Sequence, residues 1–254
     1  MLENKSCHIH LYQPLIMRIL LLSDIHGNLP ALIAIDRFFT DNPFDAICNC
    51  GDSTVYSPFP NETLQWLQSR KAFSVLGNTD HKVITLLQGK SFKKPHNEEK
   101  RIMYRSTVET LNSQSKEYLL SLKDSQILEL GGFTIGLFHG SPDHPRELLF
   151  AHTPGSRFQE LSQLSNCRIV ITGHSHSPYH KQIQTTHFIN PGSAGRMFDG
   201  NPEASCATLT LSGEDIKVDL HRIPDPVEEV VAELRQQHLP EIYSDMFRQG
   251  RKLN

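Results

Sequence analysis

Five polar segments that each follow an apolar run carry side chains of the types that bind metal ions. Their carboxylate, amide and imidazole groups belong to Asp24, His26, Asp52, Asn78, His139, His174 and His176. Mixed nitrogen and oxygen ligands suit divalent ions such as Mn, Fe, Zn or Ni better than Ca or Mg alone. Seven groups exceed the needs of one ion. The set therefore indicates a site for two ions, with Asp52 as the natural bridging carboxylate.

Each of these segments also has an ordinary structural interpretation. A single Asp or His at a strand end more often caps the chain or satisfies a polar neighbour. Asn78 directly follows Gly77, which is typical of a turn. We favour the metal interpretation because all five segments carry ligand-type residues, although each segment alone is weak evidence.

The predicted elements place these segments at one edge of a sheet. Apolar runs predict strands at 19–22, 46–50 and 72–76, and apolar periodicity predicts helices at 29–39 and 61–70. This alternation indicates a parallel sheet built from βαβ units. Ligands of such sheets bind at the carboxyl ends of the strands, where the polar segments begin.

The remaining regions have different patterns. Residues 1–16 lack periodicity and are expected to form a disordered N-terminal extension, whereas the polar stretch 81–124 is expected to form a helical, cap-like insertion with a loop at 90–100. Residues 224–254 are expected to form a helical segment that packs on the same domain. Seven short β-type runs predict a second sheet with hairpins. These runs are 127–130, 133–138, 168–172, 181–184, 187–190, 207–211 and 216–220.

Composition excludes several classes of protein. Among 254 residues, 38% are hydrophobic and 21% are charged, which is ordinary for a folded globular chain. The net charge of −3 and the absence of a basic stripe predict no stable nucleic-acid binding and no attraction to anionic membranes. No apolar run approaches the ~18 residues of a membrane-spanning helix. Five scattered cysteines predict reduced thiols in a cytoplasmic compartment.

The five segments together resemble the signature of the calcineurin-like metallophosphoesterases. The resemblance rests on Asp24-x-His26, Gly51-Asp52, Gly77-Asn78, His139-Gly140 and Gly173-His174-x-His176, in matching order over residues 18 to about 223. The phrases SDIHGNLPAL, GDSTVYSPFPNE, HGSPDHPRELLF and NPGSAG look especially like the YfcE-like bacterial branch.

This resemblance implies a four-layer α-β-β-α sandwich over residues 17–223 and a dinuclear metal centre, for which we favour manganese, with Fe, Zn, Ni, Co or Mg as alternatives. It implies that Asp24, His26 and His176 hold the first ion. It further implies that Asn78, His139 and His174 hold the second ion and that Asp52 bridges both. Asp52, Asn78 and His139 would act in catalysis through the metals, with a bridging hydroxide attacking phosphorus in line.

One position departs from the family pattern. Many members read Gly-Asn-His-Asp, whereas this chain reads Gly77-Asn78-Thr79-Asp80 and lacks the histidine expected near the leaving group. His81 comes two residues later and is expected to point elsewhere. Members of the YfcE-like branch share this departure, so it does not indicate a dead enzyme. The leaving group then needs little protonation, or another residue protonates it.

Several residues beside these motifs are candidates for contact with substrate. Arg146, Arg196 and His144 are candidate phosphate-binding side chains, and His144 and Asp143 are candidate proton donors. Their positions are equally typical of loop residues. Ser193 is interpreted as part of a tight Pro-Gly-Ser turn that positions the site.

The favoured hypothesis is a phosphodiesterase acting on a small phosphate-ester or nucleotide substrate. A phosphomonoesterase, a protein phosphatase and a dinucleoside polyphosphate hydrolase remain open alternatives. A non-catalytic binding scaffold is a hypothesis of another class. The complete set of seven ligand-type residues argues against that hypothesis.

Overall fold

The structure is a computed structural model that describes residues 16–91 and 97–254. The first half of the chain contains β1 (Ile16–Leu22), α1 (Leu29–Phe38), β2 (Ala46–Asn49), α2 (Pro60–Ser69), β3 (Phe73–Ser74), α3 (Asn78–Leu87), α4 (Glu98–Thr110) and α5 (Ser113–Ser121). The second half contains β4 (Ser125–Leu130), β5 (Phe133–Phe138), α6 (Gly155–Ser165), β6 (Ile169–Ile171), β7 (Tyr179–Ile183), β8 (Thr186–Asn190), β9 (Ala204–Ser212), β10 (Asp215–Ile223), α7 (Val227–Gln236) and α8 (Ile242–Gln249).

The strands form two five-stranded sheets. The first has the order β10-β9-β1-β2-β3, and β1, β2 and β3 are parallel, as the alternation of strands and helices predicts. The second has the order β4-β5-β6-β8-β7, with a parallel centre and antiparallel edges. Because the centre of each sheet is parallel, loops that leave several strands emerge at the same edge.

The prediction that all seven late β-type runs share the second sheet was wrong. β9 pairs antiparallel with β1, placing Leu209 opposite Ile19, and β10 pairs antiparallel with β9. These two strands therefore extend the first sheet. Alternating apolar residues predict which side of a strand is buried, but they do not specify the neighbouring strand.

The two sheets pack face to face and each carries helices on its outer face. Ile19 and Leu21 of β1 meet Ile135 and Leu137 of β5 in the core between the sheets. The opposite face of β1 packs against α1 and α2, and α6 covers the outer face of the second sheet through Phe158. The expected four-layer α-β-β-α sandwich is confirmed.

The remaining helices form a cluster of their own. Buried side chains of α3, α4, α5, α7 and α8 share one apolar core, represented by Val83, Tyr104, Leu119, Val230 and Tyr243. The polar stretch at 81–124 and the C-terminal segment thus pack on each other. The helical stretch begins earlier than expected, because α3 starts at residue 78.

Two expectations fall on segments outside the described residues. These are the N-terminal extension, of which only Ile16 is described, at the start of β1, and residues 92–96 of the expected loop. Within the described ranges, no helix combines the length and the apolarity needed to cross a membrane.

Candidate metal centre

The loops that follow β1 and β2 run side by side beyond the end of the sheet. The Asp24 N–H donates to the Gly51 carbonyl and the His26 N–H donates to the Asp52 carbonyl, both at 2.9 Å. The parallel pairing of the strands thus continues into the loops. This arrangement brings the first two polar segments together and fixes their relative positions.

The backbone at the candidate ligands is unusual. Asp24, His26, Asp52, His174 and His176 all have positive φ, between 50° and 63°. Only ten non-glycine residues of the described chain share that feature, so half of them are candidate ligands. A left-handed backbone is uncommon for such residues, and strain of this kind concentrates at functional sites.

Asp24, His26 and His176 form the first group of candidate ligands. The group is buried, and its ligand atoms lie within 4.8 Å of one another. The Nε2 atoms of His26 and His176 are 3.3 Å apart, and Asp24 Oδ1 lies 3.2 Å from His176 Nε2. These three atoms lie close enough together to bind one cation.

The hydrogen bonds of Asp24 leave one oxygen free for a cation. Oδ2 accepts from the Ser23 hydroxyl at 2.6 Å and from the His174 N–H at 2.9 Å. Oδ1 is buried and has no hydrogen-bond partner. Because an unpartnered buried carboxylate oxygen is costly, this orphaned atom fits a bound metal ion.

Asp52, His139 and His174 form the second group, again with ligand atoms within 4.8 Å of one another. His139 Nε2 lies 3.6 Å from Asp52 Oδ2 and 3.1 Å from Asn78 Oδ1. His139 Nδ1 donates to the Cys50 carbonyl at 2.8 Å, which leaves Nε2 of the neutral ring as an acceptor. Facing acceptors this close fit a cation between them.

Both groups have partners that orient the imidazole rings. His176 Nδ1 donates to the Arg196 carbonyl, as His139 Nδ1 does to Cys50. A metal-binding histidine commonly donates its other ring N–H in this way, which fixes the tautomer and the ring orientation. The residues present therefore fit two divalent ions, one at each group.

Burial and neighbouring charges set the protonation of these groups. Burial lowers the pKa of His26 well below its usual value and lowers that of His174 to about 4, so both rings are neutral at pH 7. Burial opposes ionisation of Asp24, but His176 and other histidines hold its pKa below the usual range. Neutral imidazoles and ionised carboxylates are the forms that bind metals.

The pKa of His139 shifts in the opposite direction. Burial lowers it, but the Asp52 and Asp24 carboxylates raise it more, so it stands above its usual value. A proton on this ring supplies positive charge at the point where the second group of ligands converges. This shift reflects the negative potential that would attract a cation there.

Asp80 is a positioning residue that the motif analysis passed over. It is buried, and its carboxylate accepts from the N–H groups of Ser53, Thr54 and Gly77 and from the Thr54 hydroxyl. It thereby ties the loop after β2 to the start of α3. Its place in Gly77-Asn78-Thr79-Asp80 was the available signal, because acidic residues favour the first turn of a helix.

Two clefts flank the candidate ligands. One, of about 480 Å³, reaches both groups of ligands and is lined by Asp52, Asn78 and His176 among others. The other, of about 470 Å³, is lined by Asn78, His139, His81, Asp124 and Arg146 among others. Asn78 lines both clefts, so the second group of ligands lies where they meet.

The structure separates the predicted substrate-contacting residues. Arg196 is buried and lines the 480 Å³ cleft, whereas Arg146 is exposed and lines the 470 Å³ cleft. His144 lines neither, and its Nδ1 accepts from the Arg146 N–H at 3.3 Å. The Ser193 hydroxyl donates to the Asp24 carbonyl and accepts from the Arg196 N–H, which agrees with a positioning role.

The two candidate proton donors also differ. The Asp143 carboxylate accepts from Arg157 at 2.7 Å, and this hydrogen bond lowers its pKa, so Asp143 is a poor acid at neutral pH. His81 was expected to point elsewhere. It instead lines the 470 Å³ cleft beside Asn78, with its Nε2 2.9 Å from Asp124 Oδ1. It lies one helical turn after Asn78, which places both on one face of α3.

Known proteins resemble this chain over most of its length. A metallophosphoesterase from Sphaerobacter thermophilus has 25% identity and a TM-score of 0.76, with 92% of this chain and 99% of that chain covered. A hypothetical protein from Pyrococcus horikoshii has 18% identity and a TM-score of 0.80 over 93% and 99% of the two chains, so it supports the fold alone. An uncharacterized protein of Methanocaldococcus jannaschii is 25% identical over 250 residues, covering 92% of this chain and 98% of its own.

The family assignment rests on a match to a family model that covers most of the chain. A probable metallophosphoesterase from Methanothermobacter thermautotrophicus is 26% identical over 117 residues, 45% of this chain and 62% of its own. Residues 17–214 match the calcineurin-like phosphoesterase superfamily domain. The chain belongs to the calcineurin-like phosphoesterase superfamily.

Proposed function

We propose that this protein is a dinuclear metal-dependent phosphodiesterase. In this proposal Asp24, His26 and His176 hold one ion, and Asn78, His139 and His174 hold the other, with Asp52 bridging both. When bound, such a pair of ions lowers the pKa of water and neutralises charge on the phosphoryl oxygens. Adding one water across a P–O bond of a diester yields a monoester and an alcohol.

The observation that carries the diester assignment is the pair of clefts that meet at Asn78. The phosphorus of a diester has two organic substituents, and these must extend from the metal centre in different directions. A monoester has one and needs one cleft. The two clefts are similar in size, about 470 and 480 Å³, and each can hold a substituent of moderate size.

The residues around the ligands support turnover rather than simple binding. The Asp52 carboxylate accepts from the Thr79 N–H at 2.7 Å, at the first turn of α3, so its orientation is fixed before substrate arrives. Asp80 holds the same loop from the other side. Fixed dipoles and charges of this kind lower the reorganisation needed at the transition state.

The test compares hydrolysis of bis-p-nitrophenyl phosphate and p-nitrophenyl phosphate by metal-stripped protein after Mn is restored. We expect metal-dependent turnover with a higher kcat/KM for the diester, and its loss in Asp52→Asn. The control Asp41→Asn makes the same change at an exposed carboxylate and should retain activity. Preference for the monoester would make the protein a phosphatase. Metal binding without turnover of any ester would support a binding scaffold.

A dinucleoside polyphosphate hydrolase is the second candidate. A putative diadenosine tetraphosphatase shares the fold at a TM-score of 0.53 and 17% identity, which does not extend to its substrate. The specific support is the positive charge in one cleft. The side chains that supply this charge allow the substrate class to be defined more closely.

A further inference from the structure

The 480 Å³ cleft beside the metal centre contains four cationic side chains. Lys82, Lys100, Arg196 and Lys252 all line it. Within the described residues, none of the four forms a salt bridge, although arginines elsewhere pair with Asp and Glu. Cations without carboxylate partners are common on an open surface, but here they converge on one cleft.

Arg196 is the least solvated of the four. Its side chain is 5% exposed, and its guanidinium carbon lies 4.3 Å from the ring centre of Tyr56 and 5.4 Å from that of Tyr243. One terminal nitrogen donates to Met246 Sδ, and Nε has no hydrogen-bond partner. The aromatic rings offset part of the cost of burying this charge. Burying a guanidinium without an anionic partner still costs free energy.

The lysines come from three distant parts of the chain. Lys82 lies one turn after Asn78 on α3, and its Nζ contacts the Tyr104 hydroxyl at 3.5 Å. Lys100 belongs to α4, and Lys252 follows α8 near the C-terminus. The helical stretch after residue 78 and the C-terminal segment thus meet at this cleft and supply its positive charge.

The cations are close enough to repel one another. Burial lowers the pKa of Lys100, and the charges of Lys252, Arg196 and Lys82 lower it further. Burial also lowers the pKa of Lys82, and the Asp52 carboxylate offsets only part of this effect. Keeping like charges together without an anion costs folding free energy. Such a cost is typical of a site that binds an anion.

One scissile phosphate is insufficient to account for this charge. The two proposed metal ions already supply positive charge to the phosphoryl group at the metal centre. The four further cations lie on one side of that centre. They match additional negative charge on the arm of the substrate, meaning the substituent of the phosphorus, that extends into this cleft. The cations line one cleft rather than an open surface stripe, which favours a small polyanion over a nucleic-acid strand.

We propose that this cleft is a second phosphate-binding subsite, formed by Arg196, Lys82, Lys100 and Lys252. The substrate is then a phosphodiester or phosphoanhydride with at least one further phosphoryl group on the arm that enters the cleft. The class of substrate rests on the proposed phosphodiesterase function, whereas the anion-binding subsite is measurable without turnover. The organic group on the other arm occupies the cleft that contains His81 and Arg146.

Isothermal titration calorimetry of the full, Mn-loaded chain tests the subsite. The probes are methylphosphonate, with one phosphoryl-like group, and bis(methylene)triphosphonate, with three that resist hydrolysis. Free Mn²⁺ is buffered at a fixed concentration so that the longer probe does not strip the site. We expect the triphosphonate to bind at least tenfold more tightly than methylphosphonate.

The variants Lys100→Gln and Lys252→Gln should each reduce the triphosphonate affinity about tenfold, the size expected for one charge-assisted contact. The ratio of the two affinities should fall accordingly. Lys217→Gln, at a lysine outside the cleft, makes the same change of charge and should preserve the ratio. Arg196→Lys keeps the charge but not the planar guanidinium, so, once its fold is checked by circular dichroism, it should also lower the affinity ratio.

Three results would overturn the subsite. They are equal affinity of the wild-type chain for both probes, an unchanged affinity ratio in both lysine variants, and tighter binding of a single-stranded oligonucleotide that depends on the same lysines. The proposed phosphodiesterase function fails differently. It fails if no ester is hydrolysed with Mn, whatever the two phosphonates do.

Discussion

The imidazoles of His26 and His176 face each other across 3.3 Å at Nε2, although 150 residues separate them in the sequence. His176 Nδ1 contacts the Arg196 carbonyl, and Asp24 Oδ1, which has no hydrogen-bond partner, lies 3.2 Å from His176 Nε2. A cation satisfies the two Nε2 atoms and this oxygen at once. This relationship connects the loop after β1 with the loop after β6, so it joins the two sheets at the candidate metal centre.

Removing one of these rings should empty one metal position. We expect His176→Ala to reduce bound Mn from two ions to one per chain, measured by elemental analysis after gel filtration. The increase in Tm that Mn produces should shrink as well, because each bound ion stabilises the folded chain by RT ln(1 + [Mn]/Kd) and the variant loses one of these contributions. His180→Ala changes a histidine that lines neither cleft, and it should retain both ions. Two tightly bound ions in His176→Ala would contradict the proposed ligand set.

Gly77 controls the position of Asp52. A Cβ atom at this glycine would lie 2.1 Å from Asp52 Oδ1 and 2.3 Å from the Asp52 nitrogen, distances at which the loop must move. We expect Gly77→Ala to lower the free energy of unfolding by about 2–3 kcal/mol, as overpacking does. Affinity for Mn should fall too, since Asp52 is displaced.

The matched control for this glycine is Gly155→Ala, because a Cβ there meets no atom within 4 Å and the residue begins α6. That variant should be as stable as the wild type or slightly more so, because alanine favours helix. Urea denaturation and Mn titration measure both effects. Equal stability and equal Mn affinity in the two variants would show that the close approach of Gly77 to Asp52 has no consequence.

The proximity of the candidate ligands could be predicted from sequence because each follows a predicted strand. A parallel sheet aligns the ends of its strands, so Asp24 and Asp52 could be expected to meet without any knowledge of tertiary packing. The strand that pairs with β9 could not be predicted in this way. The alternation of Leu209 with polar neighbours would suit a strand in either sheet. The pairing depends on which sheet has an edge strand without a partner.

The cationic cleft could not be predicted from the sequence for a related reason. Lys100 and Lys252 are 152 residues apart, in segments whose local patterns indicate solvated helix and chain terminus. Only the packing of the α3–α5 helices on α7 and α8 brings them to one cleft. Arg196 was singled out from its neighbouring motif, but its enclosure by Tyr56 and Tyr243 could not be inferred.

His81 is the residue we expect to protonate the leaving group. It lines the 470 Å³ cleft with Asn78 and is oriented by Asp124, so it is placed on the side where a leaving alcohol would depart. His81→Gln should reduce kcat about 100-fold for diesters with alkyl leaving groups, the range typical of general acids. It should have little effect on p-nitrophenyl esters, whose leaving group needs no proton.

The comparison between leaving groups separates proton donation from a structural role. His180→Gln should leave both kinds of ester unaffected, because His180 lines neither cleft. A loss in His81→Gln of equal size for alkyl and p-nitrophenyl esters would show that His81 supports the site without donating a proton.

Asp225 should make the protein less stable as pH rises through the weakly acidic range. Burial raises the pKa of this carboxyl to about 6, whereas an unfolded Asp titrates near 3.9. The folded state therefore binds a proton more strongly than the unfolded state, and the stability that this proton confers is full below about pH 4. It is lost between pH 4 and pH 6, on the order of 2 kcal/mol after allowance for partial exposure.

Replacing this carboxyl with an amide should remove that loss. Asp225→Asn retains an oxygen that can accept from the Ala204 N–H, which Asp225 Oδ1 does at 3.1 Å. We expect the variant to match the wild type at pH 4 and to exceed it by about 1–2 kcal/mol at pH 7, in urea unfolding curves. Asp215→Asn, at the exposed start of β10, should show no such divergence. Parallel stability curves for Asp225→Asn and the wild type would mean that folding does not raise the pKa of Asp225.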